Sequence, residues 1–173
     1  MSFITKAACV GGGVIGGAWV ARFALAGIDV KIFDPHPEAE RIIGEVMANA
    51  ERAYAMLTMA PLPPKGKLTF CKSIEEAVEG ADWIQESVPE RLELKRGVIT
   101  KIDAAARADA LIGSSTSGLL PSDLQSRCTT PSACSWRIPT TPSTSCRSSS
   151  SSAARRRRRR RSSAPCRASS RSA

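Results

Sequence analysis

The stretch VGGGVIGG, Val10 to Gly17, places glycines at 11, 13 and 16. In the spacing G-x-G-x-x-G, the first glycine permits a tight turn and the second lets backbone amides approach a pyrophosphate. The third allows the following helix to pack closely on the preceding strand. A helix starting at Val14 adds N–H groups without intrahelical partners and the positive end of its dipole, both suited to phosphates. Asp34 closes the next β-rich run, 18 residues beyond Gly16. A carboxylate there accepts hydrogen bonds from the adenosine ribose hydroxyls and repels a 2′-phosphate, so the pattern favours NAD over NADP. The competing reading is a glycine-rich turn with no ligand and an exposed Asp at a strand end. The strand before the glycines, the helix after them and the acid at this distance together favour the cofactor.

A second group lies in WIQESVPERLELK, which puts Glu86, Glu90 and Lys95 at the end of a strand and on the next helix. Open α/β sheets bind ligands at that edge. The residues alone fit equally well a solvated helix in which Glu90, Glu93, Lys95 and Arg96 form local ion pairs, each worth about 0.3–0.5 kcal/mol. A third, LIGSSTSGLLPSDL, ends a strand in the hydroxyls Ser114, Ser115, Thr116 and Ser117. Such hydroxyls bind a substrate oxygen or cap the helix that begins near Ser122, and the pattern favours capping. No metal site is expected, because the six cysteines show no CxxC spacing and the single histidine, His36, stands apart from them.

These residues must be held by alternating strands and helices. Ala7 to Val10 reads as a strand and Val14 to Ala26 as a helix, with Gly27 as its left-handed terminator. Ile28 to Phe33 reads as a strand. Glu38 to Met59 has the helical period and stops at Pro61, Pro63 and Pro64. Strands over Leu68–Cys71, Trp83–Val88 and Leu111–Ser115 alternate with a short helix capped by Ser73 and a longer one over Glu90–Ala106. Strands separated by helices imply right-handed crossovers and a doubly wound parallel sheet of Rossmann type. Cys9 and Cys71 sit in apolar runs and are expected as buried, reduced thiols. With no secretory signal and no segment resembling a membrane span, the expected location is the cytoplasm.

Charge divides the chain at about Arg127. Residues 1–126 carry 13 basic and 16 acidic residues, a net −3, whereas residues 127–173 carry 12 Arg and no acid. The overall +9 therefore misdescribes the folded part. The second segment has few large apolar residues and many Ser, Arg and Pro, too little apolar surface to offset its ordering entropy. The expected organisation is a dinucleotide-binding domain over residues 1–126 followed by a disordered basic tail over residues 127–173.

GGGVIGG, FDPHPEA, ESVPERLELK and GSSTSGL, in this order and spacing, resemble the NAD-binding domain of the 3-hydroxyacyl-CoA dehydrogenase family. Within it, WIQESVPERLELKRGV is most similar to the carnitine 3-dehydrogenase branch. The resemblance covers about the first 126 residues. It implies that Gly11, Gly13, Gly16 and Asp34 hold NAD, that Glu90 and Lys95 lie by its nicotinamide half, and that Ser117 is the substrate-side serine. It implies oxidation of a 3-hydroxyl, in carnitine or a 3-hydroxyacyl-CoA, by hydride transfer to NAD with a His as general base held by a Glu. In the family that His opens an H-x-x-N-P sequence, and a helical domain for substrate binding and dimerisation follows.

Neither feature is written in this sequence, and His36 lies on the adenosine side. The tail fits a neighbouring reading frame. Joining each third base to the next two, from Ile138 to Pro142, permits His-Pro-Tyr-Asn-Pro, starting 21 residues after Ser117. A one-base slip near Arg127 is therefore expected, with the chain a truncated and inactive cofactor domain. The alternative is a genuine basic arm, in which Arg155 to Arg161 would bind nucleic acid or another polyanion without sequence preference.

Overall fold

The computed structural model describes residues 4–57 and 61–128 of the chain. Readings made of residues 129–173, including the H-x-x-N-P frame and the basic arm, lie outside the described residues. So does the disorder expected there.

Ten elements follow one another: β1 (Lys6–Val10), α1 (Val14–Leu25), β2 (Asp29–Phe33), α2 (Ala39–Leu57), β3 (Leu68–Phe70), α3 (Ile74–Val78), β4 (Trp83–Glu86), α4 (Leu92–Ala105), β5 (Leu111–Ser114) and α5 (Pro121–Leu124). The five strands form one parallel sheet in the order β3-β2-β1-β4-β5. The chain winds outward from β1 to β3, then returns to β4 beside β1 and winds the other way. The switch between β1 and β4 opens the crevice where such sheets bind ligands.

The sheet alternation sorts the core into two layers. Ala7, Cys9, Val30 and Ile32 pack with Val20, Phe23 and Ala24 of α1 and Ile43 and Met47 of α2. Ala8, Val10, Ile84 and Ile112 face the opposite side, against Ile74 and Val78 of α3 and Ile102 of α4. The central strand β1 is thus buried on both faces, and its small residues Ala7, Ala8 and Cys9 let helices approach from either side. In α2 the buried residues recur at Ala39, Ile43 and Met47, one face of a helix whose other side is polar.

Local signals fix the ends of these elements. Helix α1 stops in a Schellman turn: Gly27 has φ +78° and the Ile28 N–H donates to the Phe23 carbonyl at 3.0 Å. Ser73 caps α3 by accepting from the Glu76 N–H at 3.1 Å, while the Glu76 carboxylate reaches back to the Lys72 N–H at 2.8 Å.

Several boundaries, one exposure and one cap differ from expectation, the larger differences for local reasons. Strand β4 ends at Glu86, because the Val88 N–H turns back to the Glu86 side chain at 2.7 Å. Helix α4 begins at Leu92, because Glu90 is drawn toward the loop after β5. Cys9 is fully buried, and burial pushes its thiol up, but Cys71 is only half-buried because it follows the edge strand β3. Helix α5 has Leu120 at its N-cap and no side-chain cap, so the hydroxyls after β5 do not cap it.

Candidate functional site

The register of the sheet brings four strand ends into one row. Val10 pairs with Phe33 on one side and Glu86 on the other, and Glu86 pairs with Ser114. The next residues, Gly11, Asp34, Ser87 and Ser115, therefore leave the sheet at the same edge. All four line a cavity of about 780 Å³, together with Glu90 and Ser117.

The glycines divide the work as their spacing implies. Gly11 has φ +95°, and a Cβ there would stand 2.8 Å from the backbone of Ser87. A Cβ on Gly16 would lie 1.8 Å from the Gly11 carbonyl oxygen, so Gly16 is where α1 and the turn touch. Gly16 does not line the cavity. Gly13 does, and a Cβ on it would meet no protein atom within 4 Å. Its missing side chain leaves open space in front of the α1 N-terminus, a cradle of the kind a pyrophosphate fills. Asp34 is held at both oxygens: Oδ2 accepts from the Gly12 N–H at 2.5 Å and Oδ1 from the His36 N–H at 2.7 Å. This fastens the acid to the glycine turn. His36 lies at the β2 end of the cavity, far along the row from Ser115, and its Nδ1 accepts from the Glu38 N–H at 3.1 Å.

Behind β4 and β5 stands a buried charged cluster. Glu86 and Lys95, with side chains 0% and 1% exposed, pair at 2.8 Å. The other Glu86 oxygen accepts from the Ser114 hydroxyl. Glu86 thereby joins β4, β5, α4 and the turn at Val88. Lys95 also reaches Glu90 Oε2 at 3.5 Å. Glu90 Oε1 accepts from the Thr116 hydroxyl at 2.7 Å and from the Ser117 and Gly118 N–H groups at 3.0 Å each. Burial pushes the Glu90 carboxyl up, but the donors at Gly118, Thr116 and Ser117, with the Lys95 charge, outweigh it and hold it at about 2. The solvated-helix reading of this segment thus holds for Glu93 and Arg96, paired at 2.8 Å near the surface, and fails for Lys95. Lys95 itself does not line the cavity; it supports Glu90 from behind.

Sequence reasoning missed Gln85 and Ser87. Gln85 is fully buried and bonded to Ser115, and Ser115 to Ser87. The available signal was three consecutive polar residues, Gln85, Glu86 and Ser87, at the end of a strand inside the sheet. Among the described residues no cluster of His, Cys, Asp and Glu is arranged to hold a metal ion, and no helix is long and apolar enough to cross a membrane.

A parallel sheet with its switch point beside a glycine turn, an acid at the end of β2 and a cavity over the strand ends define a Rossmann-type dinucleotide-binding domain. The chain belongs to the 3-hydroxyacyl-CoA dehydrogenase NAD-binding domain family, whose pattern matches residues 6–144, and its cofactor is NAD. Within that family it falls in the carnitine dehydrogenase branch. It is 99% identical over 126 residues to an L-carnitine dehydrogenase/betainyl-CoA thioesterase of a Rhizobium species, a match covering 73% of this chain and 25% of that protein. It is 62% identical over 125 residues to an L-carnitine dehydrogenase of Mesorhizobium japonicum, covering 72% and 34%. The chain thus spans about a quarter to a third of the length of these relatives. A solved 5-formyl-3-hydroxy-2-methylpyridine 4-carboxylic acid 5-dehydrogenase, described as an NAD+-dependent dismutase, superposes with a TM-score of 0.69 at 32% identity, covering 78% of this chain and 44% of that one.

Proposed function

We propose that this chain is the cofactor domain of an NAD-dependent dehydrogenase that oxidises the 3-hydroxyl of carnitine. The observation carrying the cofactor assignment is the Gly12–Asp34 clasp beside the open face of Gly13, within a cavity that spans four strand ends. The substrate rests on the carnitine dehydrogenases that the chain matches. In this reading Gly11 and Gly13 shape the pyrophosphate cradle, Gly16 keeps α1 against it, and Asp34 receives the adenosine ribose. Glu90, backed by Lys95, fixes the loop that presents Ser117 toward the substrate side. When bound, NAD supplies the hydride acceptor for conversion of a hydroxyl to a ketone.

The 173-residue chain contains one histidine, His36, at the adenosine end of the row. It is in no position to take a proton from a hydroxyl near Ser117. We therefore expect this chain by itself to bind dinucleotide without turning over substrate. The one-base slip near Arg127 belongs to the same proposal, with the cofactor domain over residues 1–126 and the slipped segment over residues 127–173. It is supported by the loss of all acidic residues after Asp123 and by the H-x-x-N-P permitted by the neighbouring frame. The free thiols of Cys9 and Cys71 fit a reducing cytoplasm.

The test compares two proteins: the 173-residue chain and the product of the gene with one base restored near Arg127. NAD and NADP binding are measured by calorimetry, and NADH formation with carnitine by absorbance. The expected result is NAD binding by both, in preference to NADP, and NADH formation by the restored protein alone. Turnover by the 173-residue chain would overturn the assignment of the missing base. Failure of both proteins to bind NAD would overturn the cofactor role of the cavity.

A further inference from the structure

Ser87 and Ser115, which line the cavity at the ends of β4 and β5, close a chain of polar groups whose hydrogen-bond direction can be followed atom by atom. It begins at Trp83, whose indole N–H is a donor only. That N–H meets Gln85 Oε1 at 3.3 Å. The opposite corner of the same amide, Nε2, meets two oxygens: the Glu86 backbone carbonyl at 3.3 Å and the Ser115 hydroxyl at 3.0 Å. A carbonyl only accepts, so the orientation of the Gln85 amide is fixed from both ends. Ser115 Oγ then lies 2.8 Å from Ser87 Oγ, and both serines line the cavity.

The hydrogens can be counted. Gln85 supplies its own hydrogen to Ser115, so that bond uses a lone pair of the serine and neither hydroxyl hydrogen. The bond between the two serines uses one hydroxyl hydrogen, whichever of them donates. Of the two hydroxyl hydrogens one is left, and among the described residues no second protein acceptor is bonded to either serine side chain. With the amide reversed, Ser115 would donate to Gln85 and Ser87 to Ser115, and no hydrogen would remain. The donor character of this wall is therefore set two residues deep, by Trp83 through Gln85.

We propose that Ser87 and Ser115 form a donor site for an acceptor oxygen on the nicotinamide half of the dinucleotide, and that Trp83 and Gln85 are the positioning residues that give it this polarity. The inference rests on the cofactor role of the cavity. Asp34 marks the adenosine end at β2 and the glycine turn the pyrophosphate, so the half across the switch point lies over β4 and β5. Ser87 and Ser115 directly follow those two strands. The acceptor is the carboxamide oxygen or an oxygen of the ribose phosphate on that half; both are oxygens that take one hydrogen bond here.

The test measures binding of NAD, ADP-ribose and AMP by calorimetry to the wild-type chain, to Ser87→Ala/Ser115→Ala, and to Gln85→Glu. The last variant keeps both serines but replaces the amide by a group that accepts at both corners, which reverses the chain. Both variants are expected to weaken NAD by about three- to tenfold, the worth of one hydrogen bond, and to leave AMP unchanged. ADP-ribose lacks the nicotinamide: unchanged binding identifies the carboxamide as acceptor, and an equal loss identifies the ribose phosphate side. Should Gln85→Glu fail to fold, the double serine variant decides alone. Unchanged NAD affinity in either folded variant, or AMP weakened as much as NAD, overturns the proposal. A wild-type chain that binds AMP but not NAD would overturn the cofactor reading and this inference with it.

Discussion

Replacing Lys95 by Met removes a positive charge that is 1% exposed from a carboxylate that is 0% exposed. Solvent screens neither partner, so the usual near-zero worth of surface pairs does not apply. Breaking a buried pair from one side costs about 3–5 kcal/mol, because the remaining charge is left in the interior. Glu86 keeps two donors after the change, the Val88 N–H at 2.7 Å and the Ser114 hydroxyl, which places the expected loss at the lower end, about 3 kcal/mol. Against a total of about 5–15 kcal/mol for a domain this is a large share. With a urea dependence of about 2 kcal/mol per molar, the unfolding midpoint falls by about 1.5 M. The assay is equilibrium urea unfolding at pH 7 of wild type, Lys95→Met, Glu86→Gln and the double variant. The double variant buries no charge at this site and should recover at least half of the loss. A loss under about 1 kcal/mol for Lys95→Met, or a double variant no better than the sum of the two single ones, would refute the reasoning.

Gly16→Ala puts a Cβ 1.8 Å from the Gly11 carbonyl oxygen, a backbone atom with no freedom to swing away. It should lower Tm by about 10 °C and abolish NAD binding, as checked by thermal melting and calorimetry. For Glu90 the native carboxyl is held at about 2, below its ordinary value of 4.5. A depressed carboxylate contributes stability that is fully present above about pH 4.5 and is lost as the pH falls toward 2. Because the side chain is 41% exposed, the contribution is reduced by solvent to about 1–2 kcal/mol. Glu90→Gln should flatten the stability profile between pH 5 and pH 2 by that amount, and in hydrogen exchange at pH 7 it should speed the Ser117 and Gly118 amides that Glu90 now holds.

The order of strands and helices, the parallel sheet and the place of the glycine turn beside Asp34 were legible in the residues alone. Those features are local: the period of apolar residues, Ser73 before α3, Gly27 after α1, and glycines whose conformations are dictated within a few residues. Gly11, Gly13, Gly16 and Asp34 could be placed because a turn and the strand beside it carry the whole pattern. The fate of the polar residues at the ends of β4 and β5 was decided only by tertiary structure. Spacing alone left Lys95 equally suited to a solvated helix and to a site, and gave the hydroxyls of Ser114 to Ser117 a capping role that α5 does not use. Their partners lie 9 to 30 residues away in the chain and meet only when α4 packs behind β4 and β4 pairs in register with β5. Burial then changes what each group is worth. Losing one partner of an ion pair costs a few tenths of a kcal/mol on a wet helix but about 3–5 kcal/mol beneath the sheet edge, where the other charge is stranded, and a glutamine that local pattern cannot orient acquires a fixed direction from an indole two residues before it.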